Sequence, residues 1–200
     1  SGSMHGEPIE AVKNGVQTLL TTLKQDPYAL ETAFVSVITF DSSARQAVPL
    51  TDLLSFQLPA LTASGTTSLG EALSLTASSI AKEVQKTTAD TKGDWRPLVF
   101  LMTDGSPTDD WRKGLNDFKA ARTGVVVACA AGHDADSSAL KEITEIVLQL
   151  DTADSSTIKA FFKWVSASIS VGSQKVESNK KEVIGLDDLP PPPPEVNVVL

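Results

Sequence analysis

The amino-acid sequence predicts an α/β domain with a doubly wound, mostly parallel sheet flanked by helices. Two observations carry this. Amphipathic helical stretches alternate with short apolar runs along most of the chain, the order that builds parallel sheets. The runs Pro97–Met102 and Gly124–Ala131 also lack polar alternation, as befits strands covered on both faces.

The first helix is read from Ile9, Val12, Val16, Leu19, Leu20 and Leu23, which share one helical face that ends near Pro27. Ala33 to Phe40 is β-branched and aromatic, a strand bounded by Asp41-Ser-Ser, and Ala44 to Val48 is short enough to pair beside it before Pro49. Leu69, Leu73, Ala77, Ile80 and Val84 mark a second amphipathic helix, followed by a polar loop from Thr87 to Arg96. Beyond the run Pro97–Met102, Asp109 to Arg122 reads as a helix and Gly124 to Ala131 as a buried strand. Ser137 to Glu142 reads as a short helix, Glu145 to Leu150 as the last strand, and Ser156 to about Gly172 as a closing helix carrying Phe161, Phe162, Trp164 and Val165. Residues 1–172 are thus one domain, with no internal repeat. Residues 173–200 form a polar, proline-rich tail whose run Pro190–Pro194 is expected to be polyproline II and to add little to the core.

The chain of 200 residues has 41% hydrophobic and 21% charged residues, a globular balance that excludes wholesale disorder. At this length about 70% of the unfolded surface can be buried without a disulfide or metal staple. A net charge of −8 with no basic cluster argues against nucleic acid, which needs a basic face to release counterions. Cys129 is the one cysteine, so no internal disulfide forms and a reducing, cytoplasmic setting is expected. No apolar stretch approaches the roughly 20 residues that span a bilayer, and no signal peptide opens the chain.

Ligands of open α/β sheets bind beyond the carboxyl ends of the strands, which directs attention to polar residues there and at helix starts. Asp104 ends the run Val99-Phe-Leu-Met-Thr-Asp, Ser64-Gly-Thr-Thr-Ser68 opens a helix, and Ser1-Gly-Ser3 opens the first one. Hydroxyls plus a carboxylate, without His or Cys, are hard oxygen donors. They suit Mg²⁺ first, then Mn²⁺ or Ca²⁺, and are wrong for Zn²⁺ or copper. Neutral Ser and Thr ligands leave such an ion electron-poor and open to an external carboxylate.

Ser1-Gly-Ser-Met4, Ser64 to Leu73 and Thr103-Asp-Gly-Ser-Pro-Thr-Asp109 together resemble the three loops of a von Willebrand factor A domain. The resemblance implies a Rossmann-like fold over roughly residues 1–170 and a metal-ion-dependent adhesion site. By position, Ser1 and Ser3 match that site's two serines, Thr67 its threonine (with Thr66 the near alternative) and Asp104 its second aspartate. The family's first aspartate would stand two residues before Ser1, so the sheet is expected to lack its first, central strand in this chain. The stretch Thr103–Trp111 and the ending Leu-Pro-Pro-Pro-Pro-Pro-Glu are similar to bacterial tellurite-resistance-associated A domains. That likeness implies a non-enzymatic, metal-dependent protein-binding module in a stress-response assembly with a protein kinase and a protein phosphatase. The partner would offer an acidic residue to the metal.

Other polar and aromatic residues have structural readings. Asp109 and Asp110 are expected to complement the dipole of the helix they open, Cys129 to be a small buried hydrophobe, and Trp111 and Trp164 to be core. His5 and His133 have no partner spacing for catalysis. Gly65 and Gly70 have the spacing of a phosphate loop without its lysine, and no dinucleotide, zinc-protease or serine-hydrolase motif is present. Two other readings stand beside the binding module. One is a Mg²⁺-dependent phosphohydrolase built on Asp104; the other is a scaffold that binds through its proline tail.

Overall fold

Structure was obtained as a computed structural model, which describes residues 1–132, 135–179, 183 and 185–199. His133, one of the two histidines, therefore lies outside the described residues; His5 is exposed. A 3₁₀ turn at Gly2–Met4 leads into α1 (Glu7–Lys24) and the short α2 (Pro27–Thr32), a stretch to which the sequence reading assigns no element. Then come β1 (Phe34–Phe40), β2 (Ala44–Asp52), α3 (Leu69–Glu83), β3 (Val99–Thr103), α4 (Trp111–Ala120), β4 (Val126–Ala131), α5 (Ser137–Ile143), β5 (Val147–Leu150), α6 (Ser155–Asn179) and β6 (Val196–Val199).

The strands form two sheets. β1 and β2 pair as expected, antiparallel, although β2 runs on past Pro49 to Asp52 where the sequence reading closes it; β3, β4, β5 and β6 follow one another in a four-stranded sheet. Its first three strands are parallel and β6 is antiparallel to β5. Helices cover both faces. On one, α1 and α6 pack together over Val127, Cys129 and Ala131 of β4 with Leu148 and Leu150 of β5. On the other, Leu69 and Leu73 of α3, Leu115 and Phe118 of α4 and Leu140 of α5 cover Ala128, Ala130 and Val147. The doubly wound arrangement expected from the sequence is therefore present.

β4 fulfils its reading as a strand buried on both faces, whereas Val99 to Met102 of β3 are only half-buried. No ladder joins β1 to β3, so β3 is an edge, and its apolar residues lack the lateral cover that β4 receives from β3 and β5. Cys129 is fully buried in β4, and burial pushes its thiol pKa up, which suits a small hydrophobe. Trp164 is core, in edge-to-face contact with Phe100 at 6.2 Å between ring centroids.

The tail corrects the sequence reading. α6 runs on to Asn179, and Val183, Leu189 and Val196 are buried in the core beneath α1 and α6. Trp164 Nε1 donates to the carbonyl of Pro190 at 2.7 Å, and Lys175 Nζ reaches the carboxylate of Asp188 at 2.5 Å. The proline run thus acts as a strap that delivers β6 to the open edge of β5, in the register Leu148↔Val198. Proline cannot supply ladder amides, but it can precede an edge strand; the β-branched Val196-Asn-Val-Val199 beyond it supplies the pairing. Removing residues 186–200 is therefore expected to lower the melting temperature by more than about 5 °C, roughly 1–2 kcal/mol at this size, in a thermal melt followed by circular dichroism.

Asp154 caps α6: its Oδ1 accepts from the amides of Ser156 and Thr157 at 2.8 and 3.0 Å, and its Oδ2 from the hydroxyl of Thr152. These bonds, that of Thr152 foremost, stabilise the carboxylate and lower its pKa from 3.8 to about 2. A carboxylate whose folded pKa is depressed adds stability above its unfolded value and loses it as pH falls through the folded one. The cap should thus weaken between pH 3.8 and about 2. Asp154→Asn should flatten that acid limb, as read from urea midpoints on either side of the window.

Candidate metal centre

The carboxyl end of the sheet brings three loops together. The chain leaves β3 at Thr103 and turns at once, with Thr103 Oγ1 accepting from the amide of Gly105 at 3.4 Å, so Asp104 sits at the strand tip, half-buried. The turn Gly2–Met4 is pinned beside it by Met4, which is buried, and by the amide of Gly2 donating to the carbonyl of Gly65 at 3.0 Å. Gly65 has φ +62°, and a side chain there would run into Ser42, whose Oγ lies 2.2 Å from where its Cβ would be. Ser42 in turn accepts from the amide of Thr66 at 3.3 Å.

All four residues singled out from sequence come into this neighbourhood. Ser1 Oγ donates to Asp104 Oδ1 at 2.7 Å, and the Oγ atoms of Ser1 and Ser3 are also 2.7 Å apart. A Cβ added to Gly105 would stand 3.4 Å from Thr67 Oγ1 and 4.0 Å from Ser3 Oγ, so both hydroxyls flank one spot beside Asp104. Thr67 is buried and locked in place: its amide donates to Thr108 Oγ1 at 3.0 Å, and its carbonyl accepts from the amide of Thr108 at 2.9 Å. It does not cap α3, whose N-cap is Ser68. Thr66 is exposed and turned to Ser42.

The donors are three hydroxyls and one carboxylate, a hard-oxygen set that fits Mg²⁺ or Mn²⁺ in kind. Among the described residues no group of three or more His, Cys, Asp and Glu could hold a metal. Any ion at this spot would therefore meet one formal negative charge, and affinity at oxygen sites rises with ligand charge.

Asp41 escapes the sequence reading. Its Oδ2 accepts from Ser64 Oγ at 3.0 Å, its Oδ1 from the amide of Ser43 at 3.2 Å, and its carbonyl from the amide of Ser68 at 2.8 Å. It therefore fastens the Ser64–Ser68 loop from both ends, and its bonds to Ser43 and Ser64 hold its carboxyl below the usual range. The signal was available: Asp41 follows the apolar strand ending at Phe40 as directly as Asp104 follows its own. Asp109 also differs from expectation. Instead of serving its own helix it caps α3, its Oδ1 and Oδ2 accepting from the amides of Gly70 and Glu71 at 3.1 and 3.0 Å. Asp110 is the N-cap of α4 and makes no side-chain cap bond.

Compared with known proteins, the chain matches the profile of the von Willebrand factor type A domain over residues 1–163. No curated protein matches it in sequence. Among solved structures it is similar to a von Willebrand factor type A protein from Catenulispora acidiphila, with 18% identity, a TM-score of 0.65, and 85% of this chain and 40% of that one covered. It is also similar to proximal thread matrix protein 1 of the mussel byssus, at 19% identity and a TM-score of 0.59 over 80% of this chain and 42% of that one. A third is the ArnB paralog VWA2 of Sulfolobus acidocaldarius, at 14% identity and a TM-score of 0.50, covering 86% and 42%. The chain spans about two fifths of the length of these proteins, and at such identities the likeness is one of fold.

The two aspartates separate by mutation. Asp109→Ala leaves two amides at the start of α3 without their acceptor and should cost about 0.5–2 kcal/mol. Asp110→Ala should stay within about 0.5 kcal/mol of the parent. Denaturant unfolding of both variants checks this.

Proposed function

The chain belongs to the von Willebrand factor type A domain family, whose members are generally metal-dependent protein-interaction modules, and from that premise we propose that it binds a partner protein through a divalent cation. The hydroxyls of Ser1, Ser3 and Thr67 and the carboxylate of Asp104 would hold the ion, Mg²⁺ first. The ion would supply an electron-poor centre that accepts a glutamate or aspartate of the partner. The observation that carries the reading is the chain of 2.7 Å contacts from Ser3 through Ser1 to Asp104, with Thr67 locked beside it.

The chain's own contribution is to hold these oxygens ready before the ion arrives. Gly2 is tied to Gly65, Ser68 to Asp41, and Thr67 to Thr108 by backbone bonds, so little ordering is left to the binding step. In this reading the protein binds and does not turn over a substrate. We place it in the cytoplasm, in a tellurite-resistance or related stress-response assembly that includes a protein kinase and a protein phosphatase. The support is the stretch Thr103–Trp111 and the proline ending. Among the described residues no helix is long and apolar enough to cross a membrane.

With one carboxylate facing a doubly charged ion, affinity is expected to be weak, on the order of millimolar. A partner carboxylate adds charge, so metal and partner should raise each other's affinity by the same factor. Calorimetric titration of Mg²⁺ and Mn²⁺ into the protein and into Asp104→Ala tests the assignment. Binding lost in Asp104→Ala is the expected result, and equal binding by the two proteins overturns it.

A further inference from the structure

α3 begins beside Thr67 and ends at Glu83, a run of 15 residues that spans roughly 22 Å. At its far end a cavity of about 140 Å³ opens between the last turns of α3 and α4 and the Gln85–Arg96 segment. The apolar stripe of α3 divides accordingly. Leu69 and Leu73 are buried in the domain, whereas Ala77, Ile80 and Val84 are half-exposed and line the cavity. Trp95 closes the opposite wall, with Lys92 Nζ 4.5 Å from its ring centroid.

The rim is basic in a chain whose net charge is −8. Lys82 and Lys119 lie in the last turns of α3 and α4, where they complement the helix dipoles. Lys86, Arg96 and Arg122 stand beyond those helix ends and line the cavity itself. Among the described lining residues one carboxylate joins them, Asp94, and its Oδ2 is engaged by the amide of Gln85 at 2.8 Å. The volume lies below the roughly 300–1,000 Å³ of sites for cofactors and other small molecules. It is close to that of an apolar cavity that accepts benzene, about 150 Å³. One side chain fits.

We propose that this pole is a second binding surface, one that takes an acidic peptide segment of a partner protein. One apolar side chain of the segment enters between Ile80, Val84 and Trp95, and the carboxylates on either side of it meet Lys86 and Arg122. Charged rims of this kind select their partner by sign and speed its approach, and an apolar anchor in a small pocket supplies the holding energy. The surface lies at the opposite end of α3 from the candidate metal centre and needs no metal, so the domain can hold one protein at each pole.

The probe is a peptide with one phenylalanine flanked by glutamates, set against its counterpart flanked by lysines. Each is titrated into the full chain with and without EDTA, followed by calorimetry and by tryptophan emission. The glutamate peptide is expected to bind, the lysine peptide not to, with affinity falling as salt rises and unchanged by EDTA or by Asp104→Ala. Arg122→Glu, which reverses a rim charge, and Ala81→Phe, which fills the cavity from an exposed position, should each weaken binding at least about tenfold without moving the melting temperature. Equal binding of the two peptides, no binding of either, or an affinity that EDTA abolishes would overturn the proposal. It also falls if both folded variants bind like the parent. Loss of metal binding in Asp104→Ala with peptide binding intact keeps this result separate from that of the metal centre.

Discussion

Burial of β4 on both faces is the constraint on which the rest of the fold depends. Val127, Ala128, Cys129 and Ala130 are fully buried, alternating between the α1–α6 side and the α3–α4–α5 side. A strand in that position has no face to give to water, so helices must lie on both sides and its neighbours must be parallel strands reached by crossovers. The small side chains of Ala128 and Ala130 leave room for α3 and α4 to sit low on the same face. They then approach so closely that a Cβ on Gly114 would stand 1.9 Å from the carbonyl oxygen of Gly70. On the other face α6 packs the ring of Phe162 onto Gly15 of α1, 2.2 Å from where a Cβ there would stand. Larger residues at these glycines would push the helices off the sheet, and overpacking of this kind typically costs 1–3 kcal/mol.

The position of β4 also decides where the polar groups gather. Its register with β3, Thr103 opposite Ala130, puts Asp104 at the tip of the sheet. The close crossing of α3 and α4 brings the loop before α3 against the loop before α4, where Thr67 and Thr108 exchange bonds and Asp109 caps the neighbouring helix. The candidate centre is therefore held by backbone bonds between segments remote in sequence. Side chains fixed in this way change little on binding, which is what an ion with few charged ligands requires.

α3 links the two ends of the molecule. Its first turn is covered by the candidate centre and its last turns open onto the basic cavity, so one helix carries an apolar stripe that is core at one end and accessible at the other. A basic rim at one pole of a protein with net charge −8 gives that pole a local field opposite in sign to the net charge. The strap from Leu186 to Val199 works separately, covering the edge of β5 that would otherwise stand free beside the core.

Local pattern determined the helices α1, α3, α4, α5 and α6 and the strands β1 to β5: apolar residues at helical spacing mark α1 and α3, and unbroken apolar or β-branched runs mark β1, β3 and β4. Ser1, Ser3, Thr67 and Asp104 were singled out by the family resemblance of three short segments at strand ends and helix starts, and the fold brings those segments together. What periodicity could not show depends on which segments become neighbours. Asp109 reads as an acid at the start of its own helix, and only the α3–α4 crossing gives it the amides of Gly70 and Glu71. Asp41 reads as the end of a strand until the Ser64–Ser68 loop folds over it. Proline in the tail hides a strand of four residues, which exists because β5 offers an unpaired edge within reach. Local sequence fixes which face of an element is apolar; which polar atoms meet is set by distances between elements, and those arise only when the chain closes around β4.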